Sequence, residues 1–172
     1  MDAAVMSVDV IAAALEVAAA SATQSLLGGG TVYICGLGCD RSLAHFAADR
    51  LMYAVDGDRP PLPAVAITGA ENAGGSQSPW RDLRALVHSG DVVLCIDSSV
   101  DGGALRQAIS AVSDQEVELL GLTHTAIGDI DSAGQYTIIT LPGDARSRLM
   151  GMQALALNCL CHLIERQLFG AE

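Results

Sequence analysis

The chain has 172 residues, of which 51% are hydrophobic but only 3% aromatic, and it carries a formal net charge of −11. A chain of this length can bury a full hydrophobic core, so we predict a single domain over 1–172. Its acidic charge would repel nucleic-acid phosphates and anionic lipid, which argues against direct nucleic-acid binding and against a membrane-surface role.

The N-terminal segment predicts a long helix over 2–27. It is rich in alanine, the strongest helix former, and a glycine run over 28–30 ends it. The chain has more apolar residues than one core needs, so we expect this helix to bury surface between subunits of a homotetramer or a homodimer. Asp9 and Glu16 interrupt its apolar run, so we predict no membrane-spanning segment.

The stretch over 31–51 predicts a strand that leads through a short loop into a helix. The helix spans about 41–55, with Phe46 among the residues on its buried side. Further elements follow in chain order: strands over 31–35, 64–68, 92–97, 117–123 and 136–141, a loop over 69–78, helices over 79–88 and 104–112, and a final helix over 145–169. Apolar strands that alternate with helices predict an α/β core over 31–141 with a parallel sheet.

Two of the predicted loops are suited to ligand binding. The first has a Gly-x-Gly pattern and leads into a helix, where glycines let the backbone approach a ligand and free N–H groups attract anions. Parallel sheets bind ligands beyond the carboxyl ends of their strands. We therefore predict ligand-binding residues in both loops: Gly36, Gly38 and Asp40 in the first, and Ser98, Ser99 and Gly102 in the second. A dinucleotide-binding pattern would have glycine where Arg41 stands, so we predict no cofactor.

The five cysteines favour a reducing compartment. Their number is odd, two lie in predicted buried strands, and no secretory signal precedes them, so we predict a cytoplasmic protein. We expect all five to be buried apolar thiols, although Cys35 and Cys39 flank the first loop and could approach each other. Cys159 and Cys161 should point in different directions, because they are two positions apart on a helix.

Four ordered stretches resemble the sugar isomerase (SIS) domain family, in its phosphoheptose isomerase group: CGLGCDRSLAHFAADR, HSGDVVLCIDSS, LLGLT and ARSRLMGMQALALNCLCHLIERQLF. Within that group the chain is most similar to the DnaA initiator-associating proteins. The resemblance covers about 24–169. It implies a three-layer αβα sandwich of the flavodoxin-like or Rossmann-like type, with a five-stranded parallel sheet and long terminal helices. It also implies a homotetramer with phosphosugar sites at subunit interfaces.

The resemblance implies catalytic groups that this sequence lacks. The phosphate-binding serine of the first loop is replaced by Asp40, or by Cys39 if one gap is allowed, and the second loop keeps only Ser99. Carboxylates at Asp40 and Asp97 would repel a phosphate dianion.

The final helix departs from the resemblance as well. The Gln, Glu and His of the enzymes fall on Arg148, Leu149 and Gly151. Aldose–ketose isomerisation needs groups that carry a proton, and neither leucine nor glycine can do so. We therefore expect weak or absent isomerase activity.

His45 and Asp49 are the remaining candidates for catalysis. They match the His and Glu of the family's second helix if a gap is allowed; without a gap, Phe46 and Arg50 do. They lie one helical turn apart and could form a pair or bind a metal, but we favour a hydrogen-bonded surface histidine and predict no metal site.

Leu168 and Phe169 lie near the C-terminus, where side chains are often exposed. The resemblance implies that they bind a partner, and packing in the core or between subunits is an equal alternative. We predict a phosphosugar-binding SIS-domain protein without turnover, which acts as a regulator or adaptor with a replication initiator as its partner. The alternatives are a divergent phosphoheptose isomerase that acts on sedoheptulose 7-phosphate, and a phosphosugar sensor.

Overall fold

The computed structural model describes residues 2–54, 57–69, 71–72, 75–76, 78–131, 136–142 and 146–170. The helices are α1 (Asp2–Leu27), α2 (Asp40–Met52), α3 (Pro79–Leu86), α4 (Gly103–Val112), α5 (Gly128–Asp131) and α6 (Arg146–Phe169). The strands are β1 (Val32–Gly36), β2 (Ala64–Ile67), β3 (Glu71–Asn72), β4 (Gly75–Ser76), β5 (Val92–Asp97), β6 (Glu118–Thr123) and β7 (Thr137–Thr140).

Five strands form a parallel sheet in the order β2-β1-β5-β6-β7. One face of the sheet packs against α1, α2 and α6, and the other packs against α3, α4 and the α5 region. All six residues of the central strand β5 are buried, because helices cover both of its faces. The predicted three-layer αβα fold is therefore confirmed.

Some element boundaries differ from the prediction. The segment predicted as a loop over 69–78 contains a small antiparallel pair, β3 with β4. Helix α2 ends at Met52 rather than near residue 55, because the backbone of Tyr53 is already extended.

The predicted burial of Phe46 is wrong, since its side chain is 39% exposed. The buried stripe of α2 consists of small and branched residues instead: Leu43, Ala44, Ala47, Ala48 and Leu51. Residues at these spacings face the sheet together, and position 46 falls beside the stripe rather than within it.

Helix α1 is only partly covered. Leu15 and Ala19 are buried in a core shared with α6, whereas Val10 and Val17 are more than half exposed. Its stretch Val8–Leu27 has a mean hydropathy of 1.5 and is long and apolar enough to cross a membrane by length and composition alone. A third of this stretch is buried within the chain, and core helices of soluble proteins pass the same test. The prediction that no segment spans a membrane therefore stays a prediction.

The expectation that all five cysteines are buried is wrong. Cys35, Cys95 and Cys161 are buried, but Cys39 is half-buried and Cys159 is exposed. Cys159 and Cys161 do point in different directions, as expected for two positions on one helix. The cysteine that lies opposite Cys35 in the sheet register is Cys95 on β5, and all five thiols are free.

Candidate functional site

The two predicted ligand loops meet at the carboxyl edge of the sheet. They follow β1 and β5, which are neighbours, so the loops that leave them lie side by side. Together they line an open cavity of about 340 Å³. Of the described residues around this cavity, none is basic, and three are acidic: Asp40, Asp97 and Asp101.

Glycine is required at two positions of the first loop. A Cβ atom on Gly36 would lie 2.7 Å from the backbone oxygen of Asp40, so a larger residue would push the start of α2 away from β1. Gly38 has a φ of 57°, in the left-handed region that disfavours other residues. Both glycines bring the first turn of α2 close to the end of β5.

Asp40, the first residue of α2, is buried against the second loop, with 4% of its surface exposed. Its Oδ2 accepts a hydrogen bond from the backbone N–H of Ser98 at 2.8 Å. Its Oδ1 accepts a second from the Ser98 hydroxyl at 2.5 Å. The structure therefore brings these two predicted ligand-binding residues together as partners of each other.

Asp97 is also buried and organises the second loop. One carboxylate oxygen accepts hydrogen bonds from the backbone N–H of Ser99 at 2.8 Å and from its hydroxyl at 2.6 Å. The other accepts from the backbone N–H of Leu105, in the first turn of α4, at 2.8 Å. Asp97 thus satisfies one N–H group in the first turn of α4 that would otherwise lack an acceptor within the helix.

Asp101 completes the second loop at the mouth of the cavity. Its exposed carboxylate accepts a hydrogen bond from the backbone N–H of Gly103. Gly103 N–H lies 3.2 Å from Asp101 Oδ1 and 3.0 Å from Ser99 Oγ. The preceding residue, Gly102, has a φ of 67° and packs against Ile127, so a side chain there would clash.

Gln153 on α6 reaches the same loops, and the sequence reasoning missed it. Its side chain is fully buried, and its Nε2 donates to Ser98 Oγ at 3.2 Å. The sequence did contain a signal for it. Gln153 is a polar residue one helical turn after Leu149, on a mostly apolar face of the helix, and a buried polar residue often has a specific role.

The positions expected to replace the enzyme's groups on α6 differ in burial. Leu149 is buried in the hydrophobic core, while Arg148 and Gly151 are exposed. The expected correspondence of these positions with the enzymes' groups stays a prediction, and a described contact between α6 and the ligand loops is made by Gln153.

His45 and Asp49 lie on the exposed side of α2, and neither is among the residues that line the cavity. His45 Nε2 lies 3.4 Å from the hydroxyl oxygen of Thr68. Among the described residues, no cluster of three histidine, cysteine or acidic side chains could hold a metal ion.

The two candidate partner-binding residues differ in exposure. Leu168 is half-buried and packs against the core, whereas Phe169 is 49% exposed. This end of α6 is tied to the segment after α2 by an ion pair between Glu165 and Arg59.

Comparisons with known proteins agree with this architecture. No family model matches the chain. A phosphoheptose isomerase from Chromohalobacter salexigens is 30% identical over 181 aligned positions, which cover 99% of this chain and 92% of that protein. The DnaA initiator-associating protein DiaA of Klebsiella pneumoniae is 31% identical, with 91% of this chain and 85% of that protein covered.

Solved structures share the fold. A phosphoheptose isomerase from Francisella tularensis superposes with a TM-score of 0.79 at 24% identity, covering 96% of this chain and 94% of that one. An isomerase from Neisseria gonorrhoeae has the same TM-score at 21% identity. The fold and its paired loops define a SIS domain. The chain belongs to the SIS-domain family that includes the phosphoheptose isomerases and DiaA.

Proposed function

We propose that this chain is a regulatory or adaptor member of its family without isomerase turnover. The observation that carries the proposal is the contact between Gln153 and Ser98, which brings a carboxamide from α6 to the ligand loops. Aldose–ketose isomerisation needs a base and an acid at the reacting carbons, and a carboxamide side chain is neither at ordinary pH.

The carboxylates of the cavity offer little help to such a reaction. Asp40 accepts two hydrogen bonds from Ser98, and Asp97 accepts three from the second loop and α4. Both carboxylates therefore already serve as acceptors for groups that shape the second loop and the start of α4. We infer that both groups maintain the loops rather than move protons.

We propose a replication initiator as the protein partner. The similarity to DiaA supports this, because that protein is named for its association with the initiator DnaA. Phe169 is the best candidate for the contact, since its aromatic side chain is exposed and aromatic residues are enriched in protein interfaces. The chain's acidity disfavours direct DNA contact, and its free thiols support a reducing cytoplasm.

A titration with the N-terminal domain of the cognate DnaA tests this partner. Binding at tens of micromolar or tighter is expected, and Phe169→Ala should weaken it at least about fivefold, as for a moderate interface anchor. Leu86→Ala is the matched control, because Leu86 is a similarly exposed hydrophobic residue at the end of α3. If no binding were seen even at high concentrations of the DnaA domain, the proposed partner would be wrong. If the two variants weakened binding equally, the assignment of Phe169 to the interface would be wrong.

A divergent phosphoheptose isomerase is the alternative, and the near full-length similarity to the Chromohalobacter salexigens enzyme favours it. Incubation with sedoheptulose 7-phosphate, with that enzyme as a positive control, separates the two functions. A turnover number within the ordinary range of about 1–10³ s⁻¹ would establish the alternative. Thermal shifts with a panel of sugar phosphates test a sensor role, because a bound ligand raises the melting temperature.

A further inference from the structure

Four hydrogen-bond donors of the second loop are occupied by the chain's own carboxylates. The backbone N–H and hydroxyl of Ser98 both point at Asp40, one to each carboxylate oxygen, at 2.8 and 2.5 Å. The corresponding groups of Ser99 both point at Asp97. Backbone N–H and hydroxyl groups of this kind are donors that bound oxyanions use in proteins.

Asp40 differs from the other two carboxylates in what it does for the fold. Asp97 satisfies the start of α4 through Leu105, and Asp101 is exposed at the mouth of the cavity. The described hydrogen bonds of Asp40 run instead to Ser98 and, more weakly, from the Cys39 thiol at 3.8 Å. Its carboxylate holds the Ser98 donors with both oxygens, as a bound phosphate or sulfate would.

We propose that Asp40 is a specificity-determining residue whose carboxylate acts as a resident anion and excludes phosphomonoesters from this cavity. A phosphate dianion would have to displace the Asp40 carboxylate from both Ser98 donors while remaining beside its negative charge. Serine at this position removes the charge, frees the donors, and is well tolerated at the start of a helix. This inference rests on the same premise as the proposed function, namely that the cavity between the two loops is the family's ligand site.

Calorimetric titration with inorganic phosphate and with sedoheptulose 7-phosphate tests the proposal at pH 7.5. The wild-type chain is expected to bind both only weakly. Asp40→Ser should bind both at least about tenfold more tightly than the wild type, as two charge-assisted hydrogen bonds become available. Asp40→Asn should show a smaller gain, because its amide oxygen can still accept one hydrogen bond from Ser98.

Asp101→Asn is the matched control. It removes one negative charge from the same cavity but leaves both Ser98 donors engaged with Asp40. Its affinity for phosphate should stay within about twofold of the wild type, since the carboxylate is exposed and screened. If Asp101→Asn gained as much affinity as Asp40→Ser, general charge would be the cause and the proposal would be wrong.

Other results would test the role of Asp40 independently of whether the chain has isomerase activity. Phosphate binding by the wild type as tight as by Asp40→Ser would overturn it, even if no isomerase activity were found. A folded Asp40→Ser variant that bound no phosphate would also overturn it. If the serine variant failed to fold by circular dichroism, the isosteric Asp40→Asn variant would decide, and no gain in its affinity would count against the proposal.

Discussion

Arg59 and Glu165 join the segment after α2 to the last turns of α6. The guanidinium donates to one carboxylate oxygen of Glu165 from Nε at 2.9 Å and from Nη2 at 2.5 Å. Its remaining donors reach the backbone oxygens of Leu51, Pro60 and Arg50. Both side chains are mostly buried, so removing either one would leave the charge of the other without a partner.

Arg59→Ala should therefore destabilise the fold by about 3 kcal/mol, because it leaves the poorly solvated Glu165 carboxylate without its ion-pair partner and removes hydrogen bonds to three backbone oxygens. Urea unfolding followed by circular dichroism measures the change. Arg166→Ala, on the exposed side of the same helix, is the control and should stay within about 0.5 kcal/mol of the wild type. Equal effects of the two changes would show that the ion pair contributes little.

Two glycine substitutions should change stability in opposite directions. Gly36→Ala should destabilise the protein by about 2 kcal/mol or more, because the new methyl group would lie 2.7 Å from a backbone oxygen that cannot move freely. Gly151→Ala should stabilise it by about 0.5–1 kcal/mol, since this glycine lies within α6 with open space beside it. Thermal unfolding of both variants tests these two predictions. If Gly151→Ala were less stable than the wild type, the space beside Gly151 would not be open.

Because the thiol of Cys161 is buried, we expect the stability of the fold to decrease at alkaline pH. Burial raises its pKa from 9.0 to about 12. Between these values the unfolded chain loses a proton that the folded chain keeps, so the free energy of unfolding falls as pH rises above about 9. The stabilising contribution of this thiol is fully present below that pH. Between the two pKa values, its loss lowers the free energy of unfolding by up to about 1.4 kcal/mol per pH unit.

Cys161→Ala should therefore flatten the decline of stability between about pH 9 and 10.5, relative to the wild type. Urea unfolding at several pH values, with a reducing agent present, gives the slopes. Cys159→Ala serves as the control and should leave the slope unchanged, because Cys159 is exposed on the same helix. A wild-type slope retained in Cys161→Ala would assign the alkaline sensitivity to other groups.

The exposed valines of α1 predict self-association. Val10 and Val17 lie on one face of the helix, and each is more than half exposed. A double change to glutamate should lower the molecular mass in solution from that of a dimer or tetramer to that of the monomer, 17.7 kDa. Light scattering after size exclusion measures the mass, and Leu86→Glu, at an exposed hydrophobic residue of α3, is the control. A wild-type chain that is already monomeric would rule out this interface.

Much of the secondary structure could be read from local patterns. The apolar run of β5 and the alanine-rich α1 were predicted with the bounds that the structure has, since each has a continuous pattern and clear turn residues after it. The β3–β4 pair was not predicted, because two-residue strands have no periodicity. Phe46 was misplaced because a helical stripe built from alanines can bury its face without using the large residue beside it.

The sequence by itself determined the alternation of strands and helices, the glycine loop and the absence of aromatic bulk, because each depends on neighbouring residues. Only the tertiary structure decided what the loops hold. Asp40 precedes Ser98 by 58 positions, and Gln153 follows Ser98 by 55 positions. The three residues meet because β1 lies beside β5 and because α6 packs on the same face of the sheet as α2. Hydrogen bonds between such distant residues follow from strand order and helix packing, which no local pattern encodes.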